Sequence, residues 1–241
     1  MYAQADTLAA PLPVPPAQHA RRRMQRHDLA WLSGQGWRSA IAGARPEHRA
    51  ALEQWQQNDW PAVVRRRDAD AGEDETCLGI PLPPDPATGA KTRIALRVRR
   101  DHIVVSTPPL PLRAAPLNKE LAALQALAAP TASTAEITLH IYGSLAMQAL
   151  TGQRYTRPGS DIDLLFYPVC KRQLDAGLAL LSAHAQSMPL DGEIVFPDGC
   201  AVSWKEWLQA TAHRSRVLVK DMDAVRLAEP AQLLAMLEQQ P

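Results

Sequence analysis

The sequence predicts an α+β fold in two domains, a small and mostly antiparallel β domain with one helix followed by an α/β sheet domain. Three observations predict it. The 241 residues are long for one core and short for three. The first half holds short alternating or β-branched segments, whereas the second half alternates helical and strand periods. Between them lies a proline-rich stretch, Thr107 to Pro116, that is poor in ladder donors and semi-rigid, as an inter-domain linker is. The expected divisions are a flexible Ala/Pro-rich tail over 1–18, a first α+β domain over 19–107, a linker over 108–116 and a second domain over 117–241.

Within the first domain, Arg21, Arg22, Arg23 and Arg26 lead into His27 to Leu32, read as the basic opening of a short amphipathic helix held by Leu29 and Trp31 or Leu32. A phosphate-contacting patch is the other reading. Pro46 opens a helix through Gln57, because proline suits the first turn and Leu52 and Trp55 recur at a spacing of three. Strands follow over Ala62 to Arg66, Cys77 to Leu82, Arg93 to Arg99 and His102 to Ser106. In the third of these Ile94, Leu96 and Val98 share one face, and Arg93, Arg97 and Arg99 the other. That arginine face reads first as solvated, with phosphate binding as the alternative.

Beyond the linker the expected order is helix Asn118 to Ala128, strand Thr138 to Tyr142, helix Leu145 to Thr151, strand Asp161 to Tyr167 and helix Lys171 to Gln186. Strands Gly192 to Phe196 and Cys200 to Ser203 come next. A helix from Trp204, read with a capping box of Ser203 and Glu206, precedes strands Arg216 to Lys220 and Ala224 to Leu227 and a last helix, Ala231 to Gln239.

Composition excludes several functions. No apolar run approaches the roughly twenty residues of a membrane span, so no membrane association is expected. The N-terminus lacks the basic start and apolar stretch of a secretory signal, and the expected location is the cytoplasm. Cys77, Cys170 and Cys200 are odd in number and include no C-x-x-C pair, which argues against disulfides or zinc. The first 116 residues hold 15 Arg and one Lys against 12 acids, and the rest 6 Arg and 4 Lys against 13 acids. A division of +4 and −3 is too mild for a nucleic-acid binder.

Chemistry concentrates between Leu139 and Phe166. Gly143 permits close approach of backbone to a ligand, and Ser144 adds a hydroxyl to free amides at a helix start, so that turn suits a phosphate. Asp161 and Asp163, two apart on a strand, project from one face with Ile162, Leu164 and Phe166 on the other. Two adjacent carboxylates repel, so they are either solvated at the start of the strand, the commoner case for a D-x-D by itself, or joined by a divalent cation, magnesium or alternatively manganese, to substrate phosphates. Asp191 and Glu193 repeat the pattern on the next strand, and Glu193 is preferred as the third carboxylate because it lies deeper in that strand.

Strand, Gly-Ser, helix, D-x-D strand and acid-bearing strand together resemble the nucleotidyltransferase superfamily typified by DNA polymerase β. The sixteen residues between Ser144 and Asp161 exceed that pattern and make Gly152 to Ser160 an excursion carrying Arg154, Tyr155 and Arg157. A closer resemblance covers nearly the whole chain. YGSLAMQALTG (Tyr142 to Gly152), SDIDLL (Ser160 to Leu165), GEIVFPDGCAVSWKE (Gly192 to Glu206), VLVK (Val217 to Lys220), RHDLAWL (Arg26 to Leu32) and WPAVVRRR (Trp60 to Arg67) are similar to the phosphoribosyl-dephospho-CoA transferases of the malonate decarboxylase system, its holo-acyl-carrier-protein synthases.

That resemblance implies transfer of a 2'-(5''-phosphoribosyl)-3'-dephospho-CoA group from 2'-(5''-triphosphoribosyl)-3'-dephospho-CoA to a serine of the apo acyl-carrier subunit, with release of diphosphate. It implies Asp161, Asp163 and Glu193 as magnesium ligands and catalytic acids, and Gly143 and Ser144 as the triphosphate cradle. Arg154, Lys205 and Lys220 are further phosphate contacts in this reading. The alternatives are a nucleotidyltransferase that uses ATP or another nucleoside triphosphate on a protein or small molecule, and a non-catalytic binding module of the same fold.

Overall fold

The computed structural model describes residues 23–115, 122, 126 and 137–238. The expected tail and nearly all of the helix expected at Asn118 to Ala128 lie outside them.

The segment read as a helix opening is instead strand β1 (Leu29–Leu32), all four residues buried. It has a paired strand on each edge, and burial of successive residues shows that both its faces are covered, so the apolar run shows no alternation. Helix α1 (Gly34–Gly43) was not legible: three of its ten residues are glycine, although Ser33 caps it by accepting from the Gly36 amide at 3.1 Å. Helix α2 (Pro46–Gln57) starts at its proline and buries Leu52 and Trp55, as the spacing requires. Strands β2 (Ala62–Val64), β3 (Glu75–Pro81), β4 (Arg93–Arg99) and β5 (Ile103–Thr107) complete a wholly antiparallel sheet in the order β4-β3-β2-β1-β5. β4 alternates as expected, with Ile94, Leu96 and Val98 buried.

The second sheet opens with β6 (Leu110–Pro111), an edge strand inside the proline-rich stretch, paired with β7 (Leu139–Ile141). Proline is tolerated there because one side of an edge has no ladder to supply. Helix α3 (Gly143–Thr151), β8 (Ile162–Phe166), helix α4 (Lys171–His184), β9 (Leu190–Val195), β10 (Ala201–Ser203), helix α5 (Trp204–His213), β11 (Val217–Lys220), β12 (Val225–Ala228) and helix α6 (Pro230–Glu238) follow. The sheet order is β12-β11-β10-β9-β8-β7-β6, and β8 and β9 are its parallel pair. The whole is α+β, and among the described residues no helix is long and apolar enough to cross a membrane.

Leu164 and Phe166 of β8, Ile194 of β9 and Val202 of β10 join Leu174, Leu178, Trp207 and Leu233 of the helices in one core. The opposite face of the strands, which carries Asp163 and Glu193, is free of those helices. Helix α3 belongs to both cores: Leu145 and Ala146 pack in the second, Met147 and Leu150 in that of the first sheet. Its N-terminus is thereby fixed where the two sheets meet. The expected capping box at α5 does not form. Ser203 makes no side-chain cap, and Glu206 Oε1 accepts from the Leu218 amide at 2.6 Å, which ties α5 to β11 instead.

Candidate active site

The Gly-Ser turn and the aspartates meet because β7 and β8 are antiparallel neighbours. The Tyr142 amide donates to the Asp163 carbonyl at 3.1 Å, and Gly143 then turns with φ +65° to start α3. A Cβ at Gly143 would overlap the Asp163 carboxylate, so glycine is demanded by conformation and by space together. Ser144 is half-buried beside it, with Lys91 Nζ 3.5 Å from its Oγ.

The parallel register of β8 and β9 sets Asp191 opposite Asp163. Asp161 lies exposed just before β8. Burial, then Asp191, then Asp161 push the Asp163 carboxyl up to about 6, against an opposing pull from Lys91 and Arg93. Lys205 Nζ stands 3.7 Å from Asp191 Oδ1. Burial and mutual repulsion of this kind mark a place where positive charge is wanted.

Glu193 departs from the sequence expectation of a third metal ligand. It is almost fully buried on the same strand face, but its oxygens already lie beside cations, although Oε2 completes no hydrogen bond among the described residues. Lys220 Nζ donates to Oε1 at 2.9 Å, and the Arg26 guanidinium lies 3.2 Å from Oε1 and 3.1 Å from Oε2. His27 Nε2 is 3.5 Å from Oε2, and Arg26 also approaches that nitrogen at 3.1 Å. Burial lowers the affinity of His27 for a proton more than Glu193 raises it. Burial would raise Glu193, yet His27, Arg26 and Lys220 together hold it below the ordinary carboxylate range. Among the described residues no three His, Cys, Asp or Glu side chains are grouped as a ready-made metal cage.

Glu193→Gln is expected to destabilise the protein by about 1–2 kcal/mol, since it leaves the half-buried Arg26 and Lys220 without their counter-charge. Urea unfolding checks this. An unchanged midpoint would show that solvent already screens the cluster.

The sequence points to Arg26 only through the alternative of a phosphate-contacting patch, and it does not single out His27 as a site residue. They stand at a tight turn in which His27 has φ +70°, its ring 4.3 Å from that of Tyr142 and its amide donating to Val64. The first sheet also brings Lys91 and Arg93 to the site. Together with Gly143, Ser144 and Asp163 they line a cleft of about 520 Å³ between the two sheets, floored in part by Pro81, Leu82 and Met147.

Of the other expected contacts, Lys205 and Lys220 stand beside Asp191 and Glu193, respectively. Arg154 is exposed and is not among the residues lining the cleft. Its loop serves as a strut. Tyr155 donates its hydroxyl to the Pro81 carbonyl at 2.8 Å, and Arg157 reaches the Asp85 carbonyl at 3.0 Å, which pins Gly152 to Ser160 on the β3–β4 hairpin. On β4, Arg97 pairs with Asp68 and Asp70, and Arg99 with Asp74 and Asp101, a solvated face as first read.

Comparison with known proteins places the chain in a family. Residues 109–231 match the family model described as phosphoribosyl-dephospho-CoA transferase MdcG C-terminal domain, and residues 25–109 the model of its N-terminal domain. A phosphoribosyl-dephospho-CoA transferase of Bradyrhizobium diazoefficiens is 36% identical over 230 residues, which span 91% of this chain and 96% of that protein. One from Xanthomonas axonopodis pv. citri is 38% identical over 214 residues, 86% of this chain and 95% of its own. No solved structure matches. With a family model for each half and relatives aligned almost end to end, the chain belongs to the phosphoribosyl-dephospho-CoA transferase family of enzymes.

Proposed function

We propose that this enzyme transfers the 2'-(5''-phosphoribosyl)-3'-dephospho-CoA group to a serine of the acyl-carrier subunit of malonate decarboxylase, on a nucleotidyltransferase-like second domain. The observation that carries the chemistry is the Gly143 turn pressed against the carboxylate of Asp163, which sets a phosphate-sized turn and an aspartate group at one locus. In the reaction the serine Oγ attacks the α-phosphorus of the donor's 5''-triphosphate. The bond from that phosphorus to the bridging oxygen breaks, diphosphate leaves, and a phosphodiester joins cofactor to carrier.

The work of this site is positioning and charge neutralisation. Gly143 and Ser144 cradle the triphosphate. Asp161 and Asp163 hold magnesium or manganese, with Asp191 better placed than Glu193 as a third carboxylate. A pair of carboxylates suffices in this reading, because magnesium is commonly bound by one or two carboxylates plus substrate phosphates rather than by an all-protein cage. The ion would neutralise charge gathering on the leaving diphosphate. One of the three aspartates accepts the serine proton. Glu193, committed to Arg26 and Lys220, is the poorest base of the four and acts by holding those cations over the sheet.

Mass spectrometry of the apo carrier subunit, incubated with the enzyme, magnesium and the triphosphorylated donor, tests the reading. The expected result is a mass gain equal to the prosthetic group, absent when the acceptor serine is replaced and abolished by excess EDTA. Transfer of a nucleotide from labelled ATP, with none from the donor, would instead favour an ordinary nucleotidyltransferase.

A further inference from the structure

Five cations line the cleft, namely Arg26, Arg65, Arg66, Lys91 and Arg93, against the single carboxylate of Asp163. Two of the five are answered, Arg26 by Glu193 and Arg65 by Asp68. The neighbouring arginines of β4, Arg97 and Arg99, are each paired with two aspartates. Arg66, Lys91 and Arg93 have no carboxylate within 4 Å among the described residues. Arg97 and Arg99, outside the cleft, are thus neutralised, whereas three positive groups stand open at it.

We propose that Arg66, Lys91 and Arg93 form a polyphosphate subsite, so that the first sheet grips the anionic part of the donor while the second sheet carries the chemistry. This rests on the proposed function for the identity of the anion, though not for its charge. Arg66 lies two residues past β2, Lys91 in the β3–β4 hairpin and Arg93 at the start of β4, and Lys91 reaches across to the Ser144 hydroxyl. An anion in the cleft would therefore lie between these cations and the Gly143 turn. Arginine can grip two phosphate oxygens at once, and lysine supplies a mobile point charge. A cleft of about 520 Å³ admits an extended small anion. The donor holds two such groups, its 5''-triphosphate and the diphosphate bridge of its dephospho-CoA part.

All three side chains are exposed, so their removal should leave the fold intact. Titration calorimetry on the full chain would compare wild type with Arg66→Ala, Lys91→Ala, Arg93→Ala and the control Arg99→Ala. Two probes separate the sources, sodium tripolyphosphate for the leaving end and dephospho-CoA for the bridge. The expected result is about a tenfold loss of affinity per variant for at least one probe, from loss of a charge-assisted contact. The KM for donor should rise alike, the KM for carrier should hold, and Arg99→Ala should match wild type. Unchanged affinity for both probes would overturn the proposal, as would a rise confined to the carrier KM, which would make these cations a protein-docking surface. A wild type that binds the probes through these residues yet transfers nothing to the carrier would defeat the proposed reaction and leave the subsite standing.

Discussion

Asp163→Asn is expected to slow transfer by about a hundredfold to a thousandfold and, at neutral pH, to make the protein more stable. Loss of rate follows if the carboxylate holds the ion that neutralises the leaving diphosphate. Gain in stability follows from its surroundings. The Asp163 carboxyl titrates near 6 rather than 3.8, because burial first and the charges of Asp191 and Asp161 next disfavour its ionised form. Between pH about 4 and about 6 the folded chain therefore keeps a proton that the unfolded chain has released. Stability falls as pH rises through that window and stays lower above it. Two units bound the effect near 3 kcal/mol, and partial exposure of the group reduces it to about 1 kcal/mol.

The asparagine variant escapes this loss. Its Tm should exceed that of wild type by about 2–4 °C at pH 7.5 and converge with it near pH 4. Magnesium gives an independent readout: it should raise the wild-type Tm and leave that of Asp163→Asn unmoved. Near-full activity in the variant, or a Tm below wild type at pH 7.5, would remove Asp163 from the role assigned to it.

What could be read in the sequence was what repeats locally. The arginine and aliphatic alternation of β4 has a period of two because one face meets water and the other the core, and its boundaries came out as expected. β1 gave no such pattern, since a strand with neighbours on both sides and cover on both faces is apolar throughout. In the site, Gly143, Ser144, Asp161 and Asp163 were legible because a turn and a strand fix their relations within a few residues. Arg26 meets Glu193 across 167 residues and Lys91 meets Ser144 across 53, and no local period encodes those distances. The preference for Glu193 over Asp191 used depth in the strand, whereas the parallel pairing that sets Asp191 opposite Asp163 is a matter of register. The long interval before Asp161 had its reason in the other sheet, where Tyr155 and Arg157 anchor the loop.

Gly143→Ala is expected to be the second most damaging change, and comparison with Gly159→Ala isolates its cause. Both glycines have positive φ, +65° and +79°, so alanine at either should strain the backbone by about 1–2 kcal/mol. Their surroundings differ. A Cβ at Gly159 meets nothing within 4 Å, whereas one at Gly143 overlaps the Asp163 carboxylate. Relief at 143 requires the turn to rotate, which moves the amides that would hold phosphate, or Asp163 to swing away from them. Either shift displaces a reacting group by roughly 1 Å, a misplacement that can lower a rate about a hundredfold. A loss of Tm in Gly143→Ala at least as large as in Gly159→Ala, with kcat falling only in Gly143→Ala, is therefore expected from parallel melting and steady-state measurements. An alanine at 143 that kept its kcat would mean that the aspartate and the turn can separate without consequence, and the shared locus on which phosphate transfer here depends would be lost as an explanation.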